Sequence, residues 1–212
     1  EKGLVSPGIF IPIFERDGFI IQLDFFVYEE VLKDMVKWQN EGRRPIIVSM
    51  NVSRAHIGTA DFLQKLTELV DSYGIPRNRL ELELTETVLG GKRQDILSFI
   101  VSCKRAGFQI SIDDFGSGYS SLNLLKELPV DVLKIDREFL RETENTVKSR
   151  NILEEIIRLS TRMNMTVITE GVETKEQVDM LTGMGCRIFQ GYYFSKPIPV
   201  QEFEDKYNVN IA

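Results

Sequence analysis

The chain has 212 residues, a formal net charge of -6, and 42% hydrophobic against 27% charged residues. That length suits one domain around one sizeable core, and the ordinary balance of residue types excludes a disordered or low-complexity chain. The acidic charge, with no stripe of Lys and Arg, excludes a surface made to bind long nucleic acid through many phosphates.

Taken in order, the chain opens on helices. Ser6-Pro7 predicts a capped short helical turn, and Phe19 to Gln39 predicts a long helix with apolar positions Leu23, Phe26, Val27, Val31, Leu32, Met35, Val36 and Trp38. A first strand is expected over Ile46 to Val52. The segment Asp61 to Tyr73 places Phe62, Leu63, Leu66, Leu69 and Val70 on one helical face, and Gly74 with Pro76 stops it. Strands follow over Leu80 to Thr85, Phe108 to Asp113, Val130 to Ile135, Thr166 to Thr169 and Ile188 to Gln190. The helices between them are expected over Ile96 to Ala106, Val147 to Met163 and Lys175 to Met184, with Ile152, Ile156, Ile157 and Leu159 turned inward on the second.

This alternation is that of parallel βα units. Six strands behind two helices predict an α/β chain of the (β/α)8 TIM-like barrel class whose opening strand or strands lie before Glu1. The alternative is an open doubly wound sheet, which normally carries a glycine-rich phosphate turn after its first strand, and none is present. Cys103 and Cys186 lack C-x-x-C spacing, so neither a disulfide framework nor a zinc site is expected, and a reducing cytoplasm fits. No apolar run reaches about 18 residues and the start lacks the regions of a signal peptide, so no membrane contact is expected of this domain. A chain beginning at Glu1 reads as an N-terminally truncated single domain, 1–212, of a larger protein, which leaves room for a cytoplasmic part of a membrane-anchored one.

The strand ends carry the chemistry. Asn51, Glu83, Asp113 with Asp114, Lys134, Glu170 and Gln190 are all polar, and parallel barrel strands deliver such residues to one C-terminal rim. Converging carboxylates repel unless a cation compensates, and oxygen donors without His or Cys suit Mg²⁺ or Mn²⁺. Adjacent Asp113 and Asp114 suit two ions, the arrangement that clamps both oxygens of a phosphodiester displacement. Lys134 is then a cation for a phosphate oxygen or an aid to the attacking water. Each residue also has a plainer reading: Asn51 and the Asp pair as turn chemistry, and Glu81, Glu83 and Glu86 as a solvated strand face.

Together, Asn51-Val52-Ser53, Glu83-Leu84-Thr85-Glu86, the run Asp113-Asp114-Phe115-Gly116-Ser117-Gly118-Tyr119-Ser120-Ser121-Leu122, Leu133-Lys134-Ile135-Asp136, Glu170-Gly171-Val172-Glu173-Thr174 and Gln190-Gly191-Tyr192 resemble the signatures of EAL-domain cyclic di-GMP phosphodiesterases over nearly the whole chain. The resemblance implies hydrolysis of cyclic di-GMP to linear pGpG with two Mg²⁺ or Mn²⁺ ions and an in-line water. It implies Asn51, Glu83, Asp113, Asp114 and Glu170 as metal ligands, with Lys134 and Gln190 beside the water or phosphate. It further implies that the loop from Asp114 through Gly116 and Gly118 couples the site to a homodimer interface, with Glu86 as its anchor. Glu173 stands equally as a supporting residue or as an acid at a helix start. An upstream sensory or GGDEF domain is implied as a partner. The Glu-Ala-Leu strand that names the family is expected roughly ten residues before Glu1. Its absence here opens a second reading, a domain that binds cyclic di-GMP or docks a protein without hydrolysis. A third, an enolase-like metal barrel, leaves the Asp113 to Leu122 run without a purpose.

Overall fold

In a computed structural model, residues 3, 5–59, 61–116, 122–143 and 147–207 are described. Pro7 presets the first turn of helix α1 (Pro7–Asp17), which runs on through Pro12 and ends where Gly18 takes a φ of 76°. The expected short turn is therefore three turns long, and the Ser6 side chain makes no cap bond. Helix α2 (Ile20–Asn40) buries Ile20, Asp24, Tyr28, Leu32 and Met35, a stripe stepping by nearly one turn each time. Phe26 and Val27, off that stripe, are exposed.

Strand β1 (Val48–Asn51) comes next, followed by a 3-10 turn at Arg54–His56 and helix α3 (Phe62–Ser72). Strand β2 (Leu80–Thr85) runs directly into the short α4 (Glu86–Leu89), and α5 (Arg93–Arg105) leads to β3 (Gln109–Phe115). The chain continues through α6 (Leu122–Glu127), β4 (Val132–Ile135), α7 (Arg137–Thr143), α8 (Val147–Arg162) and β5 (Thr166–Thr169). It closes with α9 (Lys175–Gly183), β6 (Ile188–Phe189) and α10 (Val200–Lys206). On α8 the inward residues are Leu153, Ile156 and Ile157, whereas Ile152 and Leu159 are exposed. Helical phase explains the difference: Leu153 lies four residues before Ile157 and shares its face.

The strands order β1-β2-β3-β4-β5-β6, and every neighbouring pair is parallel. A doubly wound sheet must reverse its strand order at a switch point, and this one advances without reversal, as a barrel wall does. Alternation then divides each strand. Leu80, Leu82 and Leu84, with Ile110, Ile112, Leu133 and Ile135, join the apolar core, while Glu81, Glu83, Ser111 and Lys134 occupy the intervening positions and are buried too. Glu81 and Glu83 thus do not form a solvated face.

Strands β1 and β6 are the two edges of the sheet, and the space by them, of about 580 Å³, is lined by Val48, Phe189, Phe194, Ile198 and Phe203 among others. Helix α10 is tied across to α2 by Glu204, which is 2% exposed. Its carboxylate accepts from Lys37 Nζ at 2.7 and 2.8 Å and from Trp38 Nε1 at 2.8 Å, and Arg43 donates to its backbone carbonyl at 3.4 Å. These donors hold the Glu204 carboxyl pKa below the ordinary value. A lowered folded-state pKa means stability that is present above the unfolded value and is lost as pH falls through the folded one. We therefore expect Glu204→Gln to melt below the unaltered chain at pH 7, and the gap to close below about pH 4, near where free glutamate titrates. Circular-dichroism melts across that range check it, and a constant gap would contradict the assignment.

Candidate metal centre

A regular strand sends adjacent side chains to opposite faces, so Asp113 and Asp114 could not both reach one rim without an irregularity. β3 supplies it. Its register with β4 shifts between Ile112 and Phe115, and Asp114 adopts a φ of 56°, a left-handed backbone for a residue other than glycine. Carboxylate oxygens of Asp113, Asp114 and Glu170 consequently lie within 4.8 Å of one another. Glu170 reaches them because it follows β5 immediately and its N–H extends the ladder to Ile135 O at 2.9 Å. Glu83 is placed by the pairing of β2 with both neighbours, opposite Asn51 on one side and Ser111 on the other.

Lys134 stands in the middle. Its Nζ is 2.6 Å from Glu83 Oε1, 2.6 Å from Glu170 Oε1 and 3.5 Å from Asp113 Oδ1, and its side chain is 6% exposed. Burial opposes its charge, but Glu83 and Glu170 outweigh that and push its pKa upward. The two carboxylates in contact with it thus favour its charged form. Burial raises the carboxyl of Glu170, an effect Lys134 partly offsets. Burial, and then repulsion from Asp113, raises Asp114.

One ammonium does not satisfy this set. Glu83, Asp113 and Glu170 outnumber it, and among the described residues the buried Asp113 Oδ1, 3.5 Å from the ammonium, has no hydrogen-bond donor, while Glu83 and Glu170 take the two short contacts. Buried acceptors left in this way are costly. Hard oxygen donors of this kind fit Mg²⁺ or Mn²⁺. Asn51 ends β1 at the open edge, exposed, across from Glu83.

The surroundings hold the remaining expected residues at varying distance. Gly116, at a φ of 100°, donates its N–H to Glu86 Oε2 at 3.3 Å, and a side chain there would run into the Phe139 ring. Gly118 and the rest of 117–121 lie outside the described residues. Gln190 lies just beyond β6, and with Glu170, Arg137, Glu173, Tyr192 and Lys196 it lines a cavity of about 380 Å³. Glu173 precedes α9, whose N-cap is Thr174 in a capping box with Gln177, and pairs with Arg137 at 3.2 Å. It is thus outside the helix rather than its first acid.

Residues 1–197 match the EAL domain family. The chain belongs to that family. This EAL chain is 34% identical over 200 residues to the oxygen sensor protein DosP of Escherichia coli, a match covering 94% of the chain and 25% of DosP. It is 33% identical over 204 residues to the cyclic di-GMP phosphodiesterase NbdA of Pseudomonas aeruginosa, covering 96% of the chain and 26% of NbdA. The EAL chain thus spans about a quarter of the length of these curated relatives. Among solved structures it resembles the PaMucR phosphodiesterase in complex with c-di-GMP, at 32% identity and a TM-score of 0.89, covering 96% of this chain and 82% of that one. No helix among the described residues of this EAL chain is long and apolar enough to cross a membrane.

Two features escaped the sequence reading. Glu81 is 4% exposed below Glu83, with Ser49 Oγ donating to it at 3.2 Å, and burial raises its carboxyl pKa. On α2, Asp24 and Tyr28 reach the end of β1, and Asp24 was detectable as the polar member of an otherwise apolar stripe.

Proposed function

We propose that this chain opens one phosphodiester bond of cyclic di-GMP to give linear pGpG. The observation that carries the reading is the half-buried group of Asp113, Asp114 and Glu170, with carboxylate oxygens within 4.8 Å of one another and with the buried Asp113 Oδ1 lacking a hydrogen-bond donor among the described residues. Kinship with proteins named cyclic di-GMP phosphodiesterases, and likeness to one solved with c-di-GMP, supply the substrate class.

Asn51, Glu83, Asp113, Asp114 and Glu170 would hold two Mg²⁺ or Mn²⁺ ions. Such ions, when bound, draw charge from the phosphate oxygens and acidify water. The rest falls to the chain. A water oxygen forms a bond to phosphorus while the bond to the 3′-oxygen breaks; the water gives up a proton and the 3′-oxygen gains one. Asp114, turned onto the rim beside Asp113 and Glu170 by its left-handed backbone, would receive the first proton. Lys134 stays charged, fixes Glu83 and Glu170, and sets positive charge beside the phosphate. Gln190 and the cavity beside Glu170 receive the nucleotide. In the intact protein, a GGDEF or sensory domain and a second copy of the chain are the partners that fit, since one relative is named a bifunctional diguanylate cyclase and phosphodiesterase.

The test is chromatography of cyclic di-GMP incubated with the 212-residue chain under Mg²⁺ or Mn²⁺. Metal-dependent pGpG that vanishes with chelator is expected. Tight nucleotide binding without product under either ion would replace this reading by that of a binding module.

A further inference from the structure

The end of β1 is held from an unexpected direction. β1 pairs with β2 on one side only, through the register Asn51 with Glu83 and a bond from Val52 N to Glu83 O at 3.0 Å. Its other side is a sheet edge without a strand partner among the described residues. Helix α2 also holds this end of the strand. Tyr28, 1% exposed, donates its hydroxyl to the carbonyl oxygen of Asn51 at 2.7 Å. One turn earlier, Asp24 Oδ2 accepts from Ser53 N at 3.3 Å and from His56 Nε2 at 2.8 Å. His56 is itself buried, with its ring 4.2 Å from that of Phe62 and 5.9 Å from that of Phe25. The bonds thus grip the carbonyl of Asn51 and the N–H two residues on, so they fix the backbone where it leaves Asn51, the residue paired across from Glu83.

We infer that Tyr28 and Asp24, the latter braced by His56, are positioning residues that set the Asn51 side chain for the metal centre. The inference rests on the metal-site reading above. A hard cation accepts oxygen only within a narrow range of distances, so an amide ligand gains affinity from groups that fix its backbone.

Mn²⁺ titration of the 212-residue chain, followed by the electron paramagnetic resonance signal of free Mn²⁺, tests this without any turnover. Tyr28→Phe removes one oxygen and keeps the ring. It is expected to weaken Mn²⁺ binding by about 10- to 100-fold, the range for partners that orient a ligand, and Asp24→Asn to weaken it in the same direction. Tyr28→Phe added to Asn51→Ala should weaken it no further, since both changes act through one ligand. Unchanged affinity in Tyr28→Phe beside impaired Asn51→Ala, or full additivity of the two, would overturn this inference alone. Unchanged affinity in Asn51→Ala would overturn the place of Asn51 in the metal centre and the inference with it.

Discussion

An Asp113→Ala chain is expected to fold and to lose turnover of cyclic di-GMP by on the order of 10³-fold or more, comparable to removing one group that stabilises developing charge in a transition state. The reasoning is geometric. Asp113 lies 3.5 Å from the Lys134 ammonium and brings a carboxylate oxygen within 4.8 Å of those of Asp114 and Glu170. Its removal relieves like-charge repulsion, so the melting temperature should hold or rise while Mn²⁺ binding falls. Hydrolysis kinetics and a thermal melt on the same preparation check both halves. Activity within tenfold of the unaltered chain would remove Asp113 from the centre of the mechanism.

Lys134→Ala should act in the opposite manner, on stability first. Lys134 and Glu83 are both nearly inaccessible, with side chains 6% and 7% exposed. Removing one partner of a buried ion pair typically costs about 3–5 kcal/mol because the other charge is left uncompensated. For a chain of this size that is a fall of roughly 6–20 °C in melting temperature. The loss should deepen as pH rises, because the orphaned carboxyls take higher folded-state pKa values and folding then favours their protonated forms. Mn²⁺ should stabilise the variant more than it stabilises the unaltered chain, since a divalent ion replaces the missing charge. Melts with and without Mn²⁺ decide it: an unshifted melt, or equal stabilisation of both chains, would mean that Lys134 is not the internal counter-charge.

The strands and their polar ends were readable because they depend on local pattern. Leu80 to Thr85 shows why that pattern alone was ambiguous: alternating Leu and Glu describes a solvated strand as well as one lining a barrel. Only the curl of the whole sheet buries Glu81 and Glu83. The wall's unreversed strand order likewise separates a barrel from a doubly wound sheet, and it arises from pairings between residues far apart in the chain. Neighbouring Asp113 and Asp114 were legible as a pair, but the register shift and the left-handed turn that bring both to one rim were not. Nor was the place of Lys134 among three acids, because it needs β2, β4 and the end of β5 side by side. On α8 the error was one of phase: Ile152 and Leu153 are both apolar, and the packing partners alone choose between them. Asp24 was passed over because counting apolar positions discards the polar residue that interrupts them.

The tie between Glu204 and the segment Lys37 to Arg43 has an effect beyond its own helix. It joins the stretch ahead of β1 to the helix that follows β6. A single buried carboxylate therefore fastens the first and last parts of the wall to each other while touching none of the acids of the metal centre.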